Sequence, residues 1–233
     1  MARSMEGRHV VVTGGSGALG GAVVARFAAA GAICHLPLRR MPEQPAFEAG
    51  PNILPIEGID LSRQEDVDRF YDTVPDLWAS VHAAGGFQMA PIVDASLDDF
   101  RRMMEINTVT AFACCRAAVR RMRADGMEGR IVNVAARPGL EPRRGARATA
   151  YTASKAAIVA LTVALAEELK DDRILVNGVA PSTLDTPSNS AQMPNADTSK
   201  WVPLKAAAEA IFHLGSPANM ASSGAVLPLY GRA

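Results

Sequence analysis

Short apolar runs rich in β-branched residues alternate with stretches of helical periodicity along most of this chain. Residues 8–13 form the first run, and after a glycine-rich turn an alanine-rich helical pattern fills 18–30 and stops at Gly31. A second run, 32–38, leads into Pro42 and Pro45, and 53–57 reads as a third strand before a helical 64–72. Residues 78–83 make a fourth strand that ends near Gly85-Gly86, and 97–123 carries enough periodicity for two consecutive helices or one bent one. The fifth strand is 130–135. Residues 151–169 are the strongest helix, with Ala157, Ile158, Leu161, Leu165 and Leu169 as its apolar stripe. A sixth strand at 173–179, a helix at 204–214 and a last apolar run at 224–229 follow. Between them, 181–199 is rich in Pro, Ser, Thr, Asn and Asp and lacks periodicity, which reads as a lid rather than a connector.

Strands alternating with helices imply an α/β fold with a parallel sheet of about seven strands covered on both faces. At 233 residues the expectation is one domain over 1–233, with a substrate loop at about 182–203. Lys plus Arg and Asp plus Glu balance at 24 each, so no net field draws the chain to nucleic acid or an anionic membrane, and a small molecule is the expected partner. Apolar stretches such as 156–166 fall short of the roughly 20 residues of a membrane span. No secretory apolar segment precedes the first strand, and the expected location is cytoplasmic. The three cysteines, Cys34, Cys114 and Cys115, lack Cys-x-x-Cys spacing and read as buried reduced thiols. His35, His82 and His213 lack ligand spacing, so no metal site is assigned.

Thr13-Gly14-Gly15-Ser16-Gly17-Ala18-Leu19-Gly20 lies between the first strand and the first helix. Glycines there allow positive φ and let a pyrophosphate approach backbone amides at a helix N-terminus, so a dinucleotide is expected. At the end of the second strand, an acid would accept from a ribose 2′-hydroxyl, but Leu38-Arg39-Arg40 stands there instead. Arg39 favours the 2′-phosphate of NADP(H), with NAD(H) still open; the alternative is two solvated arginines. Asp60 reads equally as a partner for the adenine edge or, with Ser62, as a helix cap.

Tyr151 and Lys155 are four residues apart at the start of the strongest helix and leave the same face. A phenol with pKa near 10 needs its anion stabilised to work near neutral pH, and a neighbouring ammonium supplies that stabilisation.

Together with Ala84-Gly85, Asn107 and Val176-Asn177-Gly178-Val179-Ala180-Pro181, these residues resemble the short-chain dehydrogenase/reductase family over nearly the whole chain. The resemblance implies a doubly wound Rossmann sheet, an ordered nicotinamide cofactor, hydride transfer to a carbonyl or imine, and often a homo-oligomer, either tetramer or dimer. It assigns Tyr151 as proton donor, Lys155 to the nicotinamide ribose, and Asn107 to a water that relays protons to the lysine. Cofactor contacts are implied at Gly14, Ser16, Gly17, Ala18, Leu19, Gly20, Arg39, Asp60, Leu61, Ala84, Gly85, Tyr151, Lys155, Pro181, Thr183 and Thr186. Asn107 also reads as a polar residue that bends its helix.

Two positions depart from the family pattern: Ala18 replaces a glycine of the turn, and Ala136 stands where the family carries its catalytic serine. Losing a polarising donor of that kind commonly costs about 2.7–4 kcal/mol of transition-state stabilisation. Ser182, Thr149 and a bound water are the replacements considered. Gly14 to Gly20, Thr183-Leu184-Asp185-Thr186-Pro187, Met193-Pro194, Ala196-Asp197 and Trp201-Val202-Pro203 are similar to dihydropteridine reductase, which also has alanine at the serine position. A quinonoid substrate, already polarised, fits that change. Two other functions stand beside the reductase. One is a catalytically silent nucleotide-binding sensor or partner subunit, motivated by the missing serine. The other is a carrier-linked ketoreductase, in which Arg137, Arg143, Arg144 and Arg147 receive a phosphopantetheine arm or an acidic carrier.

Overall fold

A computed structural model describes residues 5–232. Seven parallel strands form the main sheet in the order β3-β2-β1-β4-β5-β6-β9. They are β1 (His9–Thr13), β2 (Ile33–Pro37), β3 (Ile53–Ile56), β4 (Leu77–His82), β5 (Gly129–Val134), β6 (Ile174–Pro181) and β9 (Val226–Leu229). The order reverses between β1 and β4, where Thr13 pairs with His82, so a crevice opens beyond the carboxyl ends of these two strands.

Strand alternation divides the core. Val10 and Val12 face α1 (Ala18–Ala28) and α8 (Leu204–Gly215), packing with Val24, Phe27, Ile211 and Leu214. Val11 faces the other layer, α2 (Gln64–Asp72), α4 (Thr110–Ala124) and α6 (Thr149–Glu168), with Val67, Phe70, Cys114 and Ile131. Burying branched side chains on both faces is what makes these strands apolar throughout. Cys34, Cys114 and Cys115 are free and buried in these two layers.

The helical stretch over 97–123, expected as two consecutive helices or one bent one, is α3 (Leu97–Met103) joined to α4 through a π-helical turn, Met104–Val109, that contains Asn107. The α6 stripe is rotated from the sequence reading. Its buried face runs through Lys155, Ile158, Thr162 and Ala166, while Ala157, Leu161 and Leu165 are half-buried. The reason is a polar row beneath it. The Asn133 amide donates to Thr162 Oγ1 at 2.9 Å, and Asn133 Oδ1 lies 2.8 Å from His82 Nδ1, whose Nε2 is 2.8 Å from Ser80 Oγ. With the Asn133 amide committed to Thr162, its oxygen accepts from His82 Nδ1–H, and burial holds that imidazole neutral with a pKa of about 4. The 20-residue α6 is long and apolar enough to cross a membrane, unlike the shorter run seen in the sequence; here it packs along β6.

The stretch that lacks periodicity holds β7 (Leu184–Asp185), the short helix α7 (Pro187–Gln192) and β8 (Val202–Pro203), with β7 and β8 paired in a separate two-stranded ladder. Periodicity could not reveal elements of two to six residues. Also missed was α5 (Arg137–Leu140), a single turn after β5.

Candidate active site

Gly14 and Gly20 shape the turn after β1. Gly14 has φ +68°, and a Cβ there would lie 2.7 Å from the Ala84 nitrogen; a Cβ on Gly20 would lie 2.1 Å from the Gly14 oxygen. Backbone is packed against backbone, leaving no room for a side chain. Gly17 is the N-cap of α1 and gives no side-chain cap, so the first amides of that helix face the crevice without a protein acceptor from their cap. Such a cradle fits a pyrophosphate. Ala18 and Leu19 open the helix, Ser16 sits at the bend, and Ala84 closes the far wall by donating its amide to Thr13 Oγ1 at 3.2 Å.

Arg39 and Asp60 meet: Arg39 Nη2 lies 2.9 Å from Asp60 Oδ1. Asp60 also accepts from the Ser62 amide and hydroxyl, which together with Arg39 hold its carboxyl below the ordinary value. The cap of α2 is therefore not Asp60 or Ser62 but Arg63, which contributes no side-chain bond. Arg39 remains 75% exposed, so its fork is open to a second anion. Leu61 follows Asp60 in the same turn and is half-buried.

At the start of α6, Lys155 is buried and donates to the Val134 oxygen at 2.9 Å, with its Nζ 5.9 Å from the centre of the Tyr151 ring. Burial lowers the lysine to about 8 and raises the tyrosine to about 12. The tyrosine shift runs against an acid–base role, and its cause is desolvation alone; the ammonium, still protonated at neutral pH, is the charge placed to offset it. Asn107 is fully buried. Its oxygen accepts from the Gly86 amide at 3.0 Å, and its nitrogen donates to the Gly86 oxygen and to Ser154 Oγ, each at 3.1 Å. The side chain therefore clamps the Gly85–Gly86 turn to α6, and a Cβ on Gly85 would meet its oxygen at 2.5 Å.

Ala136 is buried at the end of β5. Of the replacements for the absent serine, Ser182 is engaged, donating to the Tyr230 oxygen at 2.9 Å, while Thr149 lines an open cavity beside Tyr151. The four arginines of 137–147 do not share one surface. Arg137 is turned inward, 14% exposed, paired with Glu141 at 3.0 Å and lying over the Tyr230 ring. Arg144 reaches the same Glu141 from outside. Pro181 pairs with Leu229, the Thr183 oxygen accepts from the Val202 amide, and Thr186 caps α7 by accepting from the Asn189 amide. These three border the carboxyl end of β6, on the same rim as the turn.

Residues 8–197 match the short chain dehydrogenase family. The chain is 30% identical to 3beta-hydroxysteroid dehydrogenase 1 of Eggerthella lenta over 96% of its own length and 87% of that protein's. It is 31% identical to a sorbitol dehydrogenase of Cereibacter sphaeroides, covering 78% and 72%. Among solved structures, an NADP-bound protein of Agrobacterium tumefaciens described as a 2-deoxy-D-gluconate 3-dehydrogenase candidate shares 28% identity, with a TM-score of 0.85 over 98% and 96% of the two chains.

Proposed function

This chain belongs to the short-chain dehydrogenase/reductase family and is an oxidoreductase acting on CH–OH or C=O groups, and from that premise we propose that it is an NADP(H)-dependent reductase of a small-molecule carbonyl compound, with Tyr151 as proton donor. The observation that carries the reading is the buried Lys155 beside Tyr151 at the carboxyl crest of the sheet, next to the glycine cradle. When bound, the reduced nicotinamide supplies the hydride for the carbonyl carbon.

The chain's residues do the rest. Amides of Ala18 to Gly20, at the first turn of α1, hold the pyrophosphate, and Arg39, steadied by Asp60, meets the 2′-phosphate. The NADP bound to the Agrobacterium protein supports binding of NADP(H). Leu61, Ala84, Gly85, Pro181, Thr183 and Thr186 line the path from adenine to nicotinamide. Tyr151 Oη delivers its proton to the carbonyl oxygen, and the Lys155 ammonium stabilises the phenolate left behind. Asn107 fixes the loop and helix that hold both groups in register. Phe112 on α4 and Val163 on α6, about half exposed, offer an apolar face for assembly with further copies. Three unpaired thiols fit a reducing compartment such as the cytoplasm.

A quinonoid acceptor is the second reading, favoured by Ala136 alone, since a substrate that is already polarised needs no serine. Following NADPH absorbance with ketones and quinonoid dihydropterins tests both. Tyr151→Phe should lower turnover about 10²–10⁴-fold while leaving NADPH affinity unchanged. Equal turnover by the variant would remove Tyr151 from the chemistry.

A further inference from the structure

A cavity of about 320 Å³ lies beside Tyr151, between residues 88–100 and 147–150. The size is at the lower end for small-molecule sites. Its two walls are tied together by the Ala90 amide, which donates to the Arg147 oxygen at 2.7 Å, and Arg147 holds φ +66°, a conformation that side-chain-bearing residues rarely adopt. Ala90, Ile92, Leu97, Phe100, Ala148 and Ala150 supply apolar lining.

Where the cavity approaches the catalytic tyrosine, Phe87 stands edge-on to the Tyr151 ring, with centres 4.9 Å apart and planes at 83°. Ala150 joins the lining directly to Tyr151, and Gln88 joins it to Phe87. The cavity thus borders the Phe87–Tyr151 ring pair through the chain neighbours of both residues.

The polar groups of the rim are committed to one another. Asp99 accepts from the Ser96 amide and hydroxyl, and Ser96 Oγ accepts in return from the Asp99 amide. Gln88 accepts from Arg102. Asp99 also faces Arg102 at 3.6 Å, while Arg147 stands exposed at the mouth. Against this, Leu97 and Ile92 are more than 60% exposed and Phe100 43%, apolar surface that gains by being covered. A second copy of the chain would meet the protruding Phe112 and Val163 more readily than this concavity.

We propose that this cavity is the subsite for the uncharged, apolar body of the substrate, with Phe87 setting the angle at which that body reaches Tyr151. The enzyme is then selective for ketones carrying a large apolar ring system or chain, and against small ones. This inference rests on the reading of Tyr151 as proton donor.

Binding of the uncharged fluorescent ketone prodan to the NADP⁺-loaded protein tests it, because prodan emission shifts to the blue in apolar surroundings whether or not turnover follows. The expected result is a blue-shifted, saturable complex that weakens at least about tenfold in Ala90→Trp, which fills the cavity, and in Leu97→Asp, which charges its exposed wall, with NADP⁺ affinity and circular dichroism unchanged. In turnover, the kcat/KM ratio of prodan to cyclohexanone should fall at least about tenfold in both variants. Absence of a blue-shifted complex, equal binding by both variants, or a changed hydrodynamic mass in the variants would overturn the proposal; the last result would make the cavity a contact between copies. If prodan binds as expected but no ketone of any size consumes NADPH, the reductase reading fails while the apolar subsite stands. If ketones are reduced and the ratio does not move, the subsite fails and the reductase stands.

Discussion

The two halves of the crest are built on different principles. At the nucleotide end, Gly14, Gly20 and Ala84 pack backbone on backbone at distances that exclude any added atom, and the groups offered to a ligand are main-chain amides. At the substrate end, the shape comes from side chains such as Phe87, Leu97, Phe100 and Thr149, several of them largely exposed, and the usual hydroxyl donor is replaced by Ala136. A surface made of main chain serves one ligand and has almost no freedom to vary, whereas one made of exposed side chains is free to change its ligand without disturbing the sheet.

The sharpest way to break this contrast is Gly20→Ala. Its methyl group would fall 2.1 Å from the Gly14 oxygen, so we expect nucleotide affinity to drop by about 100-fold or more, and stability by about 1–3 kcal/mol, measured by calorimetry and thermal melts. On the other side, Ala136→Ser puts back a hydroxyl at the end of β5. If the substrate end tolerates change as described, turnover of a simple ketone should rise about tenfold, part of the about 10²–10³ that such a donor is worth where it has evolved in place. A fall would show that the cavity is tuned around the alanine.

Arg39→Ala should lower NADPH affinity about tenfold and leave NADH affinity unaltered, since only one phosphate contact is removed. Equal loss for both nucleotides would reassign Arg39 to holding Asp60 in place. The smallest effect expected is on stability and depends on pH. Burial places Lys155 at about 8 in the folded protein against an ordinary 10.5, so between these values the unfolded chain binds the extra proton and wild-type stability rises with pH. Below about 8 the cost of the buried charge is present in full. Melts at pH 8 and pH 9 should show a gain of about 1 kcal/mol in the wild type that is absent in Lys155→Met.

Much of the framework was legible because its signals are local. The apolar runs gave all seven strands of the main sheet, and the turn from Thr13 to Gly20 announced itself through residues that must lack a Cβ. The rotation of α6 was not legible, because a helix with alanine on most sides carries no clear apolar direction and its orientation is set by Thr162 bonding Asn133, two elements away. Pairing of Arg39 with Asp60, and the inward turn of Arg137, depend on contacts between residues distant in the chain or hidden by a short turn that periodicity does not register. The cavity beside Tyr151 was not legible, because its walls come from segments distant in the chain, 88–100 and 147–150. Its walls also include Leu97 and Phe100, which the helical pattern had consigned to an ordinary helix.

The π-helical turn at Met104–Val109 makes the site sensitive to the count of residues rather than to their identity. A π turn accommodates one residue more than an α turn, and each residue of an α-helix advances the face by about 100°. Exchanging letters within the turn preserves the count. Deleting one would let the coil close to its ordinary pitch and swing Asn107 away from both Gly86 and Ser154, parting the glycine loop from the helix that carries Tyr151. In this stretch, then, spelling is negotiable and length is not.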